Sequence, residues 1–136
     1  MTATLVDSNV LLDVLGDENA WTAWSAAMLG RVGDSGRLII NPVIYGEVSV
    51  RFSSVEALDE ALPATTFFRE RLPFSAAFLA GKAFLPYRRR GGTKQSLPPD
   101  FMIGAHAAVS GFQLLTRDAV RYRTYFPHLH LIAPAN

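Results

Sequence analysis

Four carboxylates stand at positions where an enzyme could use them, although they are far apart along the chain. They are Asp7, Glu47, Asp100 and Asp118. Carboxylates crowded into one cleft repel one another and raise one another's pKa, and a divalent cation removes that penalty. Mg²⁺ and Mn²⁺ prefer oxygen ligands, and a metal held in this way can activate water and neutralise a phosphodiester under attack. Such chemistry needs neither histidine nor cysteine, so the pattern is compatible with metal-assisted phosphodiester cleavage.

Each acid also has a purely structural explanation when it is taken singly. Asp7 could form a turn, Asp100 could be the charge at a helix start, and Asp118 could form an Asx turn or a cap. Glu47 stands in the apolar run 43–48 but could face solvent. The placement of all four together favours a site more than any one of them does.

Segments typical of strands and helices alternate along the chain and must position these acids. Predicted strands cover residues 3–7, 37–40, 112–116 and 129–132, and the stretch 65–72 fits either a strand or a helical turn. Predicted helices cover 9–15, 17–32, 43–52, 55–62, 75–87, 100–109 and 119–125, and 88–99 is the clearest loop. This alternation indicates a parallel sheet with helices on both faces, whose ligand sites gather beyond the carboxyl ends of the strands. All four acids could therefore converge at one edge.

Length and composition narrow the class of protein. A chain of 136 residues fits one domain, 1–136, and the absence of cysteine excludes disulfides, thiolate metal sites and cysteine nucleophiles. The N-terminus lacks a basic segment followed by a long apolar one, and no run approaches the roughly 20 apolar residues that span a bilayer. We therefore expect a cytoplasmic protein without a membrane segment.

Charge is distributed unevenly between the two halves of the chain. Residues 1–68 contain three Lys/Arg and nine Asp/Glu, whereas residues 69–136 contain ten and three. This asymmetry could place a phosphate-attracting surface beside the acids, or both sets could simply be solvated. The candidates for contact with phosphate are Arg88, Arg89, Arg90, Lys94 and Arg117. Arg121 also flanks the last acid, but Arg117 adjoins it and is preferred.

Several other polar and aromatic residues are interpreted structurally. Asp17 is expected to cap the second helix, and Asp13 is expected to face solvent. Trp21 and Trp24 are three residues apart and are expected to pack in the core or an interface. His106 lies in an apolar helix and is expected to be a packed or capping residue.

Four short motifs carry the acids in order along the chain. They are VDSNVLL (6–12), NPVIYGEV (41–48), DFMIGAHA (100–107) and LTRD (115–118). Together they resemble the acidic motifs of PIN-domain nucleases, particularly the VapC-type toxins of bacterial toxin–antitoxin pairs. The resemblance covers essentially the whole chain, and the motifs occur in the family's order.

The resemblance implies a PIN-like three-layer α/β/α fold with a central, mainly parallel sheet of four to five strands. It also implies a homodimeric endoribonuclease that cleaves RNA, depends on Mg²⁺ or Mn²⁺, and is restrained by a cognate antitoxin. The catalytic and metal-binding residues carried over by motif are Asp7, Glu47, Asp100 and Asp118. The basic candidates for phosphate contact would then bind RNA, or could instead pair with acidic groups of the antitoxin.

The resemblance also assigns supporting roles at the site to two polar residues. Asn9 would hold the turn that carries Asp7, and Thr116 would hydrogen-bond a ligand or water. Some relatives have a further acid shortly after the fourth motif, whereas residues 119–122 contain none. We therefore expect one metal ion per site.

Two rival functions remain open at this point. One is a non-catalytic PIN-like module that binds RNA or protein, and metal titration would separate it from a nuclease. The other is a phosphoryl-transfer domain of the receiver or phosphatase type. Such domains usually need a well-placed lysine late in the chain, and the only lysines here, Lys82 and Lys94, end no clear strand.

Overall fold

A parallel sheet of five strands forms the centre of the molecule. Its strands are β1 (Thr2–Val6), β2 (Gly36–Ile40), β3 (Phe67–Arg69), β4 (Gln113–Leu115) and β5 (Leu131–Ile132). The computed structural model describes residues 2–135. Within that range the strand order is β3-β2-β1-β4-β5, and every neighbouring pair is parallel. The predicted α/β class and mainly parallel sheet are confirmed, and the stretch that fitted either a strand or a helical turn contains the short strand β3.

Seven helices connect the strands in the part of the chain that the structure describes. They are α1 (Ser8–Leu15), α2 (Thr22–Ser35), α3 (Pro42–Ser49), α4 (Val55–Ala61), α5 (Phe74–Arg89), α6 (Pro99–Ser110) and α7 (Val120–Tyr125). The chain steps outward from β1 to β2 to β3, and then returns past β1 to β4 and β5. Because parallel crossovers are right-handed, α1–α4 cover one face of the sheet and α5–α7 cover the other.

The reversal of strand order creates a switch point between β1 and β4. These strands pair so that Val6 lies opposite Leu115, and the backbone N–H of Asp7 donates to the Leu115 carbonyl at 2.9 Å. A ligand cleft forms in such sheets beyond the carboxyl ends of the two strands that flank the switch point. Asp7 and Thr116, the residues that directly follow these paired strand ends, therefore lie side by side at the mouth of this cleft.

The three central strands β1, β2 and β4 form the centre of the hydrophobic core. The fully buried strand residues are Leu5, Val6, Ile39, Ile40, Leu114 and Leu115. They read as continuous apolar runs rather than alternating ones, because helices cover both faces of a parallel sheet. The acids that follow β1 and β4 are therefore attached to fully buried strand ends.

Two predicted helix ends were wrong. The second helix was expected to break at Gly33, but α2 continues to Ser35 because it packs on α1 and β2. The predicted loop 88–99 begins two residues too early, since α5 continues past Pro86 to Arg89 while packing on α6. Packing outweighs the roughly 1 kcal/mol propensity cost of a glycine, and a proline near the last turn removes only one helical hydrogen bond.

The expected cap of the second helix was also wrong. The N-cap of α2 is Trp21, not Asp17. The Asn19 side chain instead accepts a hydrogen bond from the Trp21 N–H at 2.7 Å, while the Asn19 N–H donates to Thr22 Oγ1 at 2.9 Å. Asn19 lies two residues closer to the helix than Asp17 does, so its side chain reaches the backbone N–H of the N-cap residue.

Gly104 allows α6 to lie against α7, and this leads to a prediction about stability. A Cβ atom at Gly104 would lie 2.7 Å from Cδ2 and Cε2 of Phe126. Gly104→Ala should therefore destabilise the fold by about 1–3 kcal/mol, measured by urea unfolding, because a well-packed ring cannot move away cheaply. Gly81→Ala is the matched control, since nothing lies within 4 Å of its Cβ and a helical alanine is favoured. Equal unfolding midpoints for the two variants would contradict this packing argument.

Candidate active site

Asp7 is held rigidly at the end of β1. It is the N-cap of α1, and its Oδ1 accepts a hydrogen bond from the Ser8 N–H at 2.8 Å. Its Oδ2 accepts from Thr116 Oγ1 at 2.8 Å and from the Tyr122 hydroxyl at 2.9 Å. The Asn9 amide lies 3.5 Å from the same oxygen. Donors from α1, from the turn after β4 and from α7 thus converge on one carboxylate.

Burial changes the proton affinity of this carboxylate. Only 5% of Asp7 is exposed, and burial raises its pKa from 3.8 to about 6 even though the hydrogen bonds from Thr116 and Tyr122 lower it. Nearby Glu47 raises the pKa further. Burial also raises the pKa of Tyr122 well above its usual value, so the phenol stays protonated and donates to Asp7. The site therefore keeps a carboxylate where its charge is costly, which is typical of functional residues.

Glu47 reaches this carboxylate from the neighbouring helix α3. That helix starts directly after β2, and its N-cap Asn41 accepts from the Ile44 N–H at 2.9 Å. The other atom of the Asn41 amide group, Nδ2, lies 3.0 Å from Nδ1 of His106. Glu47 lies further along α3, and its Oε1 accepts a hydrogen bond from Ser8 Oγ at 2.8 Å. A buried cap thus fixes the helix that presents Glu47.

His106 is a packed residue, as expected. It is 1% exposed, it contacts Asn41, and its ring packs edge-to-face with Phe112 at 5.5 Å between centroids. Burial lowers its pKa, which favours the neutral ring at pH 7. This histidine therefore ties α6 to the start of α3 rather than lining the acidic cavity.

Asp100 and Asp118 approach from the other side of the switch point. Asp100 lies in the first turn of α6, and both of its oxygens bind Nη1 of Arg121, at 3.2 Å for Oδ1 and 3.0 Å for Oδ2. Asp118 follows β4, and its N–H donates to Thr116 Oγ1 at 3.2 Å. Within residues 2–135, no donor binds the Asp118 carboxylate, which is exposed. Thr116 thus connects the turn of Asp118 to Asp7.

All four acids line one cavity of about 270 Å³. The other lining residues are Ser8, Asn9, Lys94, Pro98, Pro99, Ile103, Arg121 and Tyr122. Within the described range 2–135, no three His, Asp or Glu side chains are already spaced to hold a metal ion. The donor set nevertheless fits Mg²⁺ or Mn²⁺, because it consists of carboxylates and Mg²⁺ usually takes only one or two of them besides water and substrate.

The basic residues proposed from the sequence separate into two groups. Lys94 lines the cavity, whereas Arg88, Arg89, Arg90 and Arg117 do not. The Arg88 guanidinium donates to the Lys94 carbonyl at 2.6 Å, and Arg90 lies over the ring of Tyr125. Because α5 extends to Arg89, the first two arginines belong to its last turn rather than to a free loop. Their contact with RNA stays a prediction.

Asp13 was expected to face solvent, and this was wrong. It is 1% exposed, and its Oδ2 accepts from Ser25 Oγ at 2.7 Å and from Arg117 Nε at 2.8 Å. The Arg117 guanidinium also lies 5.8 Å from the ring centroid of Trp21. The residue preferred for RNA contact is thus engaged in tying α1 and α2 to the turn that carries Asp118. No sequence pattern distinguishes this buried ion pair from two solvated charges.

Three polar side chains that line the cavity were not among the residues proposed from the sequence: Ser8, Arg121 and Tyr122. Ser8 follows Asp7 directly, while Arg121 and Tyr122 stand one helical turn after Asp118. That spacing was the available signal, because residues three and four positions apart share a helix face. It was too weak to rank Arg121 above Arg117.

The comparisons with known proteins now identify the family. A family model described as PIN domain matches residues 4–127, so the chain belongs to the PIN-domain family. The predicted family and fold are thereby confirmed, and the match disfavours a receiver or phosphatase domain. No curated protein sequence matches at a significant level. Across residues 2–135, no helix is long and apolar enough to cross a membrane.

Solved structures of low sequence identity share this fold. VapBC2 from Rickettsia felis, crystallised with a promoter DNA fragment, is 13% identical over 98% of this chain and 100% of that chain, with a TM-score of 0.74. VapBC-1 from nontypeable Haemophilus influenzae is 14% identical over 97% and 98%, with a TM-score of 0.72. VapC20 from Mycobacterium tuberculosis, a toxin that cleaves the sarcin-ricin loop, is 16% identical over 89% and 94%, with a TM-score of 0.60.

Proposed function

We propose that this chain is a Mg²⁺- or Mn²⁺-dependent endoribonuclease that acts as the toxin of a toxin–antitoxin pair in the cytoplasm. The observation that carries the proposal is the convergence of Asp7, Glu47, Asp100 and Asp118 on one cavity at the switch point of a PIN fold. Gathering four acids there lowers stability, and metal-assisted chemistry on a phosphodiester gives a reason to gather them.

The side chains around the cavity would have three roles: metal binding, orientation of Asp7 and attraction of RNA. Asp7, Glu47, Asp100 and Asp118 would hold one divalent ion, which when bound supplies charge neutralisation and water activation. The hydrogen bonds from Ser8, Thr116 and Tyr122 keep Asp7 in one orientation before substrate arrives. Lys94 at the rim would attract the phosphate backbone of RNA. Orientation by rigid neighbours contributes because little rearrangement is then needed during the reaction.

The toxin assignment rests on the family and on the structures that share the fold. Two of them are VapBC toxin–antitoxin assemblies, and VapC20 is a toxin that cleaves the sarcin-ricin loop. We therefore propose a protein antitoxin as partner, a structured RNA as substrate, and a homodimer as the active assembly. Expression of the chain alone should arrest growth, and co-expression of a small neighbouring gene should restore it. Harmless expression of folded, metal-binding protein would contradict the toxin role.

The direct test of the nuclease is cleavage of structured RNAs by the purified chain with added Mg²⁺ or Mn²⁺. Asp100→Asn should lower the cleavage rate by at least about 100-fold, because one carboxylate of the metal-binding set is lost. Asp34→Asn is the matched control, since Asp34 is exposed at the end of α2. Chelation by EDTA should stop wild-type cleavage, and Mn²⁺ should restore it. Undiminished cleavage by Asp100→Asn would disprove the site assignment.

A titration with Mn²⁺ separates the nuclease from a non-catalytic PIN module. A module that only binds RNA or protein needs no divalent ion, so calorimetric titration with Mn²⁺ should give no heat. We expect binding by the wild type that is weakened by Asp100→Asn and unchanged by Asp34→Asn.

A further inference from the structure

The Arg121 guanidinium is held at the acidic cavity from two sides. Its Nη1 donates to both oxygens of Asp100, at 3.2 and 3.0 Å. Its central carbon lies 4.9 Å from the ring centroid of Tyr87 and 5.6 Å from that of Phe101. Two aromatic rings therefore support a cation against a carboxylate of the proposed metal-binding set.

The geometry of this ion pair differs from the usual paired contact of arginine with a carboxylate. Two parallel bonds from two nitrogens are the frequent arrangement, whereas here a single nitrogen bridges both Asp100 oxygens. A cation chelated by both oxygens of a carboxylate would approach the same place. In residues 2–135, the other guanidinium nitrogens of Arg121 donate to no protein acceptor.

The ion pair between Arg121 and Asp100 is also accessible enough for another cation to replace Arg121. The Arg121 and Asp100 side chains are 32% and 31% exposed, so water and ions can reach both. Partly exposed pairs of this kind are weak, and a divalent ion carries twice the charge of a guanidinium. A cation that enters the cavity can thus replace Nη1 at Asp100.

We propose that Arg121 is an internal counter-ion that occupies the cation position of Asp100 in the metal-free chain and competes with the divalent ion for it. This proposal rests on the proposed function, because it requires that Asp100 binds a divalent metal. Once displaced from Asp100, Arg121 remains stacked on Tyr87 and Phe101, and its donors are free for an RNA phosphate. Arg121 then links metal loading to substrate binding.

The test is calorimetric titration of the metal-free protein with Mn²⁺ at low ionic strength. Arg121→Gln should bind Mn²⁺ about fivefold more tightly than the wild type, since the competing cation is gone. Arg121→Lys should stay near the wild type because it keeps the charge. Arg123→Gln is the matched control, since Arg123 is exposed on the same helix and should leave the affinity unchanged.

A second variant guards against loss of packing on the aromatic rings. Arg121→Met keeps an apolar stem beside Tyr87 and Phe101, and it should also bind Mn²⁺ more tightly. Both neutral variants should nevertheless bind a non-cleavable RNA more weakly than the wild type does in Mg²⁺. Thermal unfolding of each variant establishes that the compared proteins are folded.

The outcomes separate this proposal from the proposed function. Mn²⁺ binding that is equal in the wild type and in both neutral variants overturns the competition by Arg121 but leaves the nuclease intact. Weaker Mn²⁺ binding by folded neutral variants also overturns it, because Arg121 would then assist Asp100. Absence of Mn²⁺ binding by every folded variant overturns the metal-dependent nuclease and this inference together.

Discussion

Asp7→Asn is expected to lower RNA cleavage by at least about 100-fold while making the metal-free protein more stable at pH 7.5. The activity falls because the most rigidly held carboxylate of the cavity is lost. Stability rises because a buried charge disappears, and burial is the main reason that the pKa of Asp7 is raised to about 6. An asparagine can still accept from the Ser8 N–H, and the hydroxyls of Thr116 and Tyr122 can rotate to accept from its amide.

The sign of the pH dependence follows from the same shift. The folded chain holds the Asp7 proton more tightly than the unfolded chain does, since the pKa rises from 3.8 to about 6. The ionised carboxylate therefore costs nothing below pH 3.8, and its cost grows to about 3 kcal/mol above pH 6. Relative to Asp7→Asn, metal-free wild type should lose stability as the pH rises through this window.

Urea unfolding in EDTA at pH 4.5, 6 and 7.5 measures this effect. The stability difference between Asp7→Asn and wild type should increase with pH, and Asp34→Asn should show no such trend. Added Mn²⁺ should stabilise the wild type more than Asp7→Asn, because a ligand that binds only the folded state stabilises it. A difference that does not change with pH would contradict the burial argument for Asp7.

Arg117→Met is expected to destabilise the fold by about 3 kcal/mol. Among the ion pairs of residues 2–135, this is the one whose disruption should cost the most stability. The Asp13 side chain is 2% exposed. Without Arg117 its charge stays buried, with hydrogen bonds from the neutral Ser25 hydroxyl at 2.7 Å and the neutral Asn19 amide at 3.4 Å. Removal of one partner of such a pair leaves an uncompensated buried charge. Methionine keeps an apolar stem beside Trp21, which isolates the effect of charge.

A double-mutant cycle tests the source of this loss. Asp13→Asn removes the buried charge, so combining it with Arg117→Met should recover about 1–2 kcal/mol relative to Arg117→Met alone. The exposed pair between Arg69 and Asp59 is the control, because Arg69→Met should cost less than about 1 kcal/mol. Additive losses at Asp13 and Arg117 would show that the two side chains do not stabilise each other.

The same variant bears on the prediction that Arg117 contacts RNA. Because Arg117 Nε is bound to Asp13, its replacement should move the turn that carries Asp118 as well as remove a positive charge. RNA affinity measured below the unfolding temperature separates the two effects. A loss restored by Asp13→Asn is structural, whereas a loss that persists indicates phosphate contact.

Local chemistry in the sequence determined which residues could form the site and roughly where the helices and strands lie. Pro42 and Ser54 indicated helix starts, Gly111 indicated a helix end, and the apolar runs around 3–7 and 112–116 indicated buried strands. These signals are short-range, because a cap, a left-handed glycine or a proline acts on its neighbours within about one turn. The four acids were therefore identifiable as candidates from their places at element ends.

Only the tertiary structure decided what each charge does. Asp13 and Asp34 are both acids near helices, yet one is buried against Arg117 and the other is exposed. Arg117 and Arg121 flank the same acid, yet Arg117 stabilises the fold and Arg121 lies on Asp100. Asp13 and Arg117 are 104 positions apart and Asp100 and Arg121 are 21 apart, so no local pattern contains either pair. The switch point between β1 and β4 brings those distant segments together.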